Sequence, residues 1–240
     1  MAKLPTLETP TYETVVPSTG KKIKYRPWLV KEEKVLMVAL ETGEAASIFQ
    51  AIKDLINICT FNKLDANTLC TFDMEFIFLK IRSKSVGEHA KVGIKCEKCE
   101  RSTTVDIDLD KIVAPKPDKT LSNKVQLTPK IGVVLRWPTV DDVTELAKQE
   151  DKEDVGTVIK TIVRCIESVY DEESVYPSSE QTTEEMVKFI ESLSQEQFRK
   201  INDYITSMPK LEFTCNFVCS SKDCGHQNSI QITGLQNFFE

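Results

Sequence analysis

The chain is poor in the side chains that carry proton-transfer chemistry near neutral pH: its 240 residues include two histidines, His89 and His226. It has no glycine-rich phosphate loop followed by Lys and Ser/Thr, no Gly-x-Ser-x-Gly elbow and no His-Glu-x-x-His pair. The common phosphate cradle, serine nucleophile and zinc-hydrolase arrangements are thereby excluded. His89 lies in a polar connector (85–90), and nothing in the sequence groups a nucleophile with a base and an orienting residue, so no enzymatic function is expected. No run approaches the roughly 18 apolar residues of a membrane span, and Met1-Ala2-Lys3-Leu4-Pro5 is not followed by an apolar segment. An intracellular, soluble chain with no membrane partner is expected. Positive charge is not in excess either: 31 Lys and Arg stand against 37 Asp and Glu, a net charge of -6, with the lysines scattered. A general nucleic-acid binder needs a basic face to displace counterions, so none is expected as partner. The acidic runs at 150–154 and Asp171-Glu172-Glu173 read as solvated helix ends and loops.

What the chain does have is eight cysteines, with two clusters far apart: Cys96-Glu97-Lys98-Cys99, and Cys215, Cys219, Cys224. In a reducing compartment these read as buried thiols plus metal ligands rather than a disulfide framework. Each cluster sits at the lip of a short strand pattern, and a Cys-x-x-Cys turn at a strand end delivers a pair of thiolates to a tetrahedral Zn²⁺ shell. The expected cofactor is one structural Zn²⁺ per chain. Cys96 and Cys99 supply one edge of the tetrahedron and Cys219 and Cys224 the other, with Cys215 and His226 as substitutes. Gly225, after Cys224, suits the positive φ of a knuckle. The alternation Leu211, Phe213, Cys215, Phe217 turns Cys215 inward and ranks it behind Cys219. Free thiols in two surface turns remain the plainer reading. A redox pair is a further one, although such a pair normally opens a helix, whereas 100–104 continues as turn and strand. A closed four-thiolate shell is structural, because catalytic zinc keeps a position for water or substrate.

The organisation reads as one pattern stated twice. Alternating residues across 12–25 flank Pro17-Ser18-Thr19-Gly20, and Arg26-Pro27-Trp28 precedes a helix opening at Val30. Residues 125–137 repeat this around Pro129-Lys130-Ile131-Gly132, followed by Thr139 and Asp142 in capping-box spacing. Each half then runs through helices into a cysteine cluster and an alternating strand. Placing Cys99 on Cys224 puts Val105 on Ile230 and Ile107 on Ile232. The expected fold is α+β, with two divergent tandem repeats of β-hairpin, helices and zinc-knuckle strand that share one zinc-ribbon-like site. Its boundaries are an N-terminal arm (1–11), a first repeat (12–112), a linker (113–124) and a second repeat (125–240).

Helical periodicity predicts a buried stripe of Ala45, Ile48, Phe49, Ile52, Leu55, Ile56 and Cys59, with Gln50, Lys53, Asp54 and Asn57 in water. A second stripe takes in Val155, Val158, Ile159, Ile162, Val163, Ile166 and Val169, with Cys165 off its centre. Thr182 with Glu185, and Ser194 with Gln197, are further capping boxes. Asp73 is placed to cap a helix carrying Met74, Phe76, Ile77, Phe78, Leu79 and Ile81. A helix apolar on more than one face is either central in the core or lies against a partner. Met74 and Phe78 are therefore candidate partner contacts, as are Phe238 and Phe239, which otherwise fold back on the cysteine-bearing strands.

The stretch from Ser18 to Met37, above all Arg26-Pro27-Trp28 and Lys31-Glu32-Glu33-Lys34, resembles the baseplate hub protein family of T-even-like contractile-tailed bacteriophages. The resemblance starts at Leu4-Pro5 and Pro10-Thr11-Tyr12, is sharpest from Arg26 to Leu40 and continues more diffusely to the cysteine pairs. It carries no catalytic residue to transfer. It implies a late structural or assembly protein of the central hub, whose partners are other baseplate hub proteins. Such a protein resides in the host cytoplasm during assembly and, if retained, in the virion tail baseplate. The alternatives are a transient chaperone of a hub subunit, absent from the mature virion, and a zinc-ribbon adaptor that binds nucleic acid. Against the adaptor, Lys91, Lys95, Lys98 and Arg101 are offset by Glu97, Glu100, Asp106, Asp108 and Asp110.

Overall fold

Turn residues and alternating polarity set the strands, and capping boxes and 3.6-residue periodicity set the helices, in a computed structural model that describes residues 7–118, 120–147 and 155–234. In chain order, β1 (Tyr12–Val15) and β2 (Lys22–Tyr25) lead into α1 (Val30–Thr42), α2 (Ala45–Cys59) and α3 (Thr71–Ser85). Next come β3 (His89–Lys95), β4 (Ser102–Asp108), β5 (Lys124–Gln126), β6 (Gly132–Leu135), α4 (Val140–Ala147) and α5 (Val155–Arg164). The chain closes through β7 (Ile166–Tyr170), β8 (Val175–Pro177), α6 (Thr183–Glu191), α7 (Gln195–Thr206), β9 (Glu212–Val218) and β10 (Gln227–Thr233). This is a mixed α+β fold. Among the described residues no helix is long and apolar enough to cross a membrane.

The chain forms two compact units whose limits differ from the expected division at 112 and 125. One holds the described residues up to 66, Phe72–Lys116 and 210–234, and the other Asn67–Thr71 and Pro117–Pro209. The last hairpin thus belongs with the first half of the sequence. The acidic run 150–154 and the terminal Phe238 and Phe239 lie outside the described residues.

In the first unit β1 and β2 pair antiparallel, Tyr12 opposite Tyr25. Asp73, expected to precede this helix as its cap, falls inside the first turn of α3, where it is buried and accepts hydrogen bonds from the Ser18 N–H (2.8 Å) and hydroxyl, anchoring the β1–β2 turn to α3. Trp28 stacks on Phe78 with ring centroids 5.8 Å apart. Met74 is 1 % and Phe78 0 % exposed, which corrects their assignment as partner contacts. Phe72, Ile77, Leu79 and Ile81 are buried too, so α3 is covered on every side by its own chain. Lys53 is likewise buried, 4 % exposed, rather than in water, because α2 is covered over more than half its circumference, from Ala51 through Leu55 and Ile56 to Lys53.

In the second unit the strands form one antiparallel sheet in the order β5-β6-β7-β8. Periodicity extended the helix through Ile166 and Val169, but α5 stops at Arg164. Leu135 pairs with Ile166 and Val133 with Val169, so ladder hydrogen bonds to β6 capture a segment rich in β-branched residues. Val158, expected in the buried stripe, is exposed, and Cys165, expected off its centre, is fully buried. The capping boxes at Thr182–Glu185 and Ser194–Gln197 form as expected, and so does the one at the start of α4, where the side chains of Thr139 and Asp142 each accept from the other's backbone N–H. The core gathers Leu127, Val133, Leu135, Ile162, Ile190 and Ile201.

Each unit carries the same charged clasp where its first hairpin turns into a helix. Arg26 donates to both Glu32 carboxylate oxygens (3.3 and 3.1 Å) and to the Pro27 carbonyl, while its own N–H reaches the Cys59 carbonyl at 3.0 Å. Arg136 donates to both Asp142 oxygens and to the Trp137 carbonyl, and its N–H reaches the Cys165 carbonyl at 2.8 Å. Burial acts to raise the pKa of both carboxyls but is outweighed by the arginine and by the N–H of Leu29 or Thr139, so both sit below the usual carboxylate values. A carboxyl depressed in the folded state stabilises it above the unfolded pKa, near 4, and that stabilisation is lost as pH falls through the folded value. Thermal denaturation across pH should therefore show a melting temperature level near neutrality and falling below about pH 4. Asp142→Asn should cost about 2 kcal/mol at pH 7 and make that fall shallower.

Candidate metal centre

Two hairpins bring the thiols in. In β3–β4 the last pair is Lys95 opposite Ser102, and the chain turns over Cys96 to Arg101. In β9–β10 the first pair is Val218 opposite Gln227, and the turn runs from Cys219 to His226. The first cysteine of each turn donates its N–H across the mouth, Cys96 to the Arg101 carbonyl (3.0 Å) and Cys219 to the His226 carbonyl (2.9 Å). The residue after the second cysteine is left-handed in both: Gly225 has φ 53°, and Glu100 has φ 59°. The two turns are thus one design, with two extra residues between the cysteines of the second.

The four sulfurs of Cys96, Cys99, Cys219 and Cys224 all lie within 4.8 Å of one another. Cys96 and Cys224 are 3.9 Å apart and Cys99 and Cys219 3.6 Å. A disulfide would need about 2.05 Å. The tetrahedron edge for metal–sulfur bonds of about 2.3 Å is about 3.8 Å, so the four donors are spaced to hold one metal ion. Cys215 and His226 lie outside this cluster. Cys215 is buried opposite Ile230 on the ladder, and burial raises its pKa, as for a core thiol.

Donors around the sulfurs make one of them acidic. Burial acts to raise the Cys96 pKa, but the N–H groups of Cys99 and Lys98, the Asn228 amide and the Cys219 thiol pull it down to about 6. At Cys99 the Arg101 N–H lowers the pKa, yet burial and the three neighbouring sulfurs push it up to about 11. Four thiols this close cannot all ionise without a cation among them.

Two buried polar residues that the sequence reading passed over lock the turns together. Thr103 and Asn228 occupy equivalent positions, opposite Ile94 and Phe217, each two residues before the first cysteine of its turn. Thr103 Oγ1 accepts from the Ser220 N–H (3.2 Å) and approaches Cys219 Sγ at 4.0 Å, while Asn228 Oδ1 accepts from the Glu97 N–H (3.0 Å). Each side chain therefore reaches the residue after the first cysteine of the opposite turn. Arg101 adds a bond to the Ser221 hydroxyl at 2.8 Å. The available signal was a buried-face position in each strand occupied by a polar residue, legible only once the hairpins are superposed.

A family model described as T4 bacteriophage base plate protein matches residues 9–240, which include both cysteine turns and both clasps. The chain belongs to this family. Membership brings a structural role in the phage tail baseplate and contacts with other baseplate proteins. No curated protein and no solved structure matches the chain.

The left-handed residues give a direct test of the turn design. Left-handed backbone costs a non-glycine residue about 1–2 kcal/mol, partly offset by the lower chain entropy lost on folding. Glu100→Gly should raise stability to denaturant by about 0.5 kcal/mol, while Gly225→Ala should lower it by about 1 kcal/mol.

Proposed function

We propose that the chain is a non-enzymatic structural or assembly component of the baseplate central hub, working through contacts with other hub proteins. The family match across nearly the whole chain carries this reading. The ion held by the four cysteines is Zn²⁺, and its role is structural. Four thiolates suit zinc, their spacing suits its tetrahedron, and a four-sulfur shell leaves no position for water or substrate. The chain assembles in the host cytoplasm and is retained in the tail baseplate.

The chain also arose by tandem duplication, with halves near 12–112 and 125–240. Two recurrences support this. The Arg26–Glu32–Cys59 clasp has its counterpart in Arg136–Asp142–Cys165. The reciprocal reach of Thr103 and Asn228 relates the two cysteine turns by an approximate two-fold.

Protein purified without added zinc should contain about one zinc per chain by elemental mass spectrometry. Cys96→Ser or Cys224→Ser should lose both the metal and the cooperative unfolding transition. Correctly folded protein free of metal would end the zinc reading. Quantitative proteomics of purified virions addresses the role: a fixed stoichiometry with other hub proteins is expected, whereas presence only in assembly intermediates would make the chain a transient chaperone.

A further inference from the structure

Helix α1 has a second apolar face that its own chain leaves uncovered. Its inward arc carries Glu32, Leu36 and Ala39, which are buried. The opposite arc, at i, i+4, i+7, i+8 and i+11, carries Val30, Lys34, Met37, Val38 and Glu41. Val30 is 69 %, Met37 56 % and Val38 60 % exposed. Single exposed apolar residues are ordinary, but three on one arc of a thirteen-residue helix form a stripe.

The charges give the stripe a direction. Lys34 lies one turn before the Met37–Val38 pair and Glu41 one turn after it, and neither enters an ion pair among the described residues. Positive, apolar, negative along one axis is complementary to the same face run antiparallel. With Met37 set opposite the second copy's Val38, Lys34 falls opposite the second copy's Glu41 at both ends. A surface that matches itself under a two-fold rotation is what an isologous contact requires.

We propose that α1 is a self-association face, on which two copies pair through antiparallel α1 helices about a two-fold axis passing between Met37 and Val38. Val35 and Ile58, both exposed beside the stripe, extend its apolar area. A single helix pair about 20 Å long lies at the small end of specific interfaces, so the dimer is weak and favoured where copies are already held close together. This inference stands apart from the zinc and hub readings, because it rests on α1 and the adjoining end of α2.

Sedimentation equilibrium of the full chain as purified, from low to high micromolar concentration, tests it. A concentration-dependent dimer is expected, abolished by Val38→Glu at unchanged circular dichroism. Lys34→Glu and Glu41→Lys should each weaken the dimer about tenfold, since each removes both symmetry-related pairs and sets like charges opposite one another. The double variant Lys34→Glu/Glu41→Lys should regain most of the affinity, a readout independent of how Val38→Glu folds. A monomer at every concentration would overturn the proposal and give the face to a different baseplate protein. A dimer indifferent to Val38→Glu, or a double variant no tighter than the singles, would overturn it equally.

Discussion

Four sulfurs within 4.8 Å of one another are the constraint around which the first unit is organised. The meeting pairs are 120 and 128 residues apart in sequence. The hairpins that carry them, β3–β4 and β9–β10, are separate two-stranded sheets with no ladder between them. An isolated two-stranded hairpin is marginal in water. The cysteine cluster, the hydrogen bonds of Thr103 and Asn228 across it and the Arg101–Ser221 bond tie these two together. An ion bound among the thiols would turn four mutually repelling donors into a strong link between those segments.

The arginine clasps act at a different level. Each fixes the angle between a hairpin and the helix after it by using one guanidinium for a carboxylate, a carbonyl and, through the adjacent backbone, the end of a second helix. Glutamate in one unit and aspartate in the other serve the same role, because the pair is defined by the bidentate geometry rather than by side-chain length. Such a pair is a modest source of stability and a strict geometric requirement, since removing either partner strands a charge.

Local chemistry was legible in the sequence wherever it is sufficient to decide structure. The start of α1 at Val30, both strands of the first hairpin, the Thr182 and Ser194 caps and the four clustered cysteines all follow from short-range rules, as does the ranking of Cys219 over Cys215 from strand alternation. Tertiary context decided the rest. Ile166 and Val169 continue the helical period, but as β-branched residues they suit a strand as well, and only pairing with β6 selects the strand. Asp73 reads as the residue before a helix, yet α3 begins at Thr71, which puts Asp73 in the first turn facing the β1–β2 turn. Met74 and Phe78 read as surface because a helix apolar on all sides has two explanations, and sequence periodicity cannot choose between a partner and the chain's own core.

The second unit is, in sequence, an insertion into the first: Pro117–Pro209 separates Phe72–Lys116 from the segment that begins at Lys210. On the ribosome this ordering has a temporal meaning. At synthesis rates of 5–20 residues per second, Cys96 and Cys99 emerge about 6–25 s before Cys219 and Cys224, with the inserted unit free to collapse in the interval. The cysteine centre consequently closes only after the inserted unit has been made, so its closure reports that both separated parts of the first unit have left the ribosome.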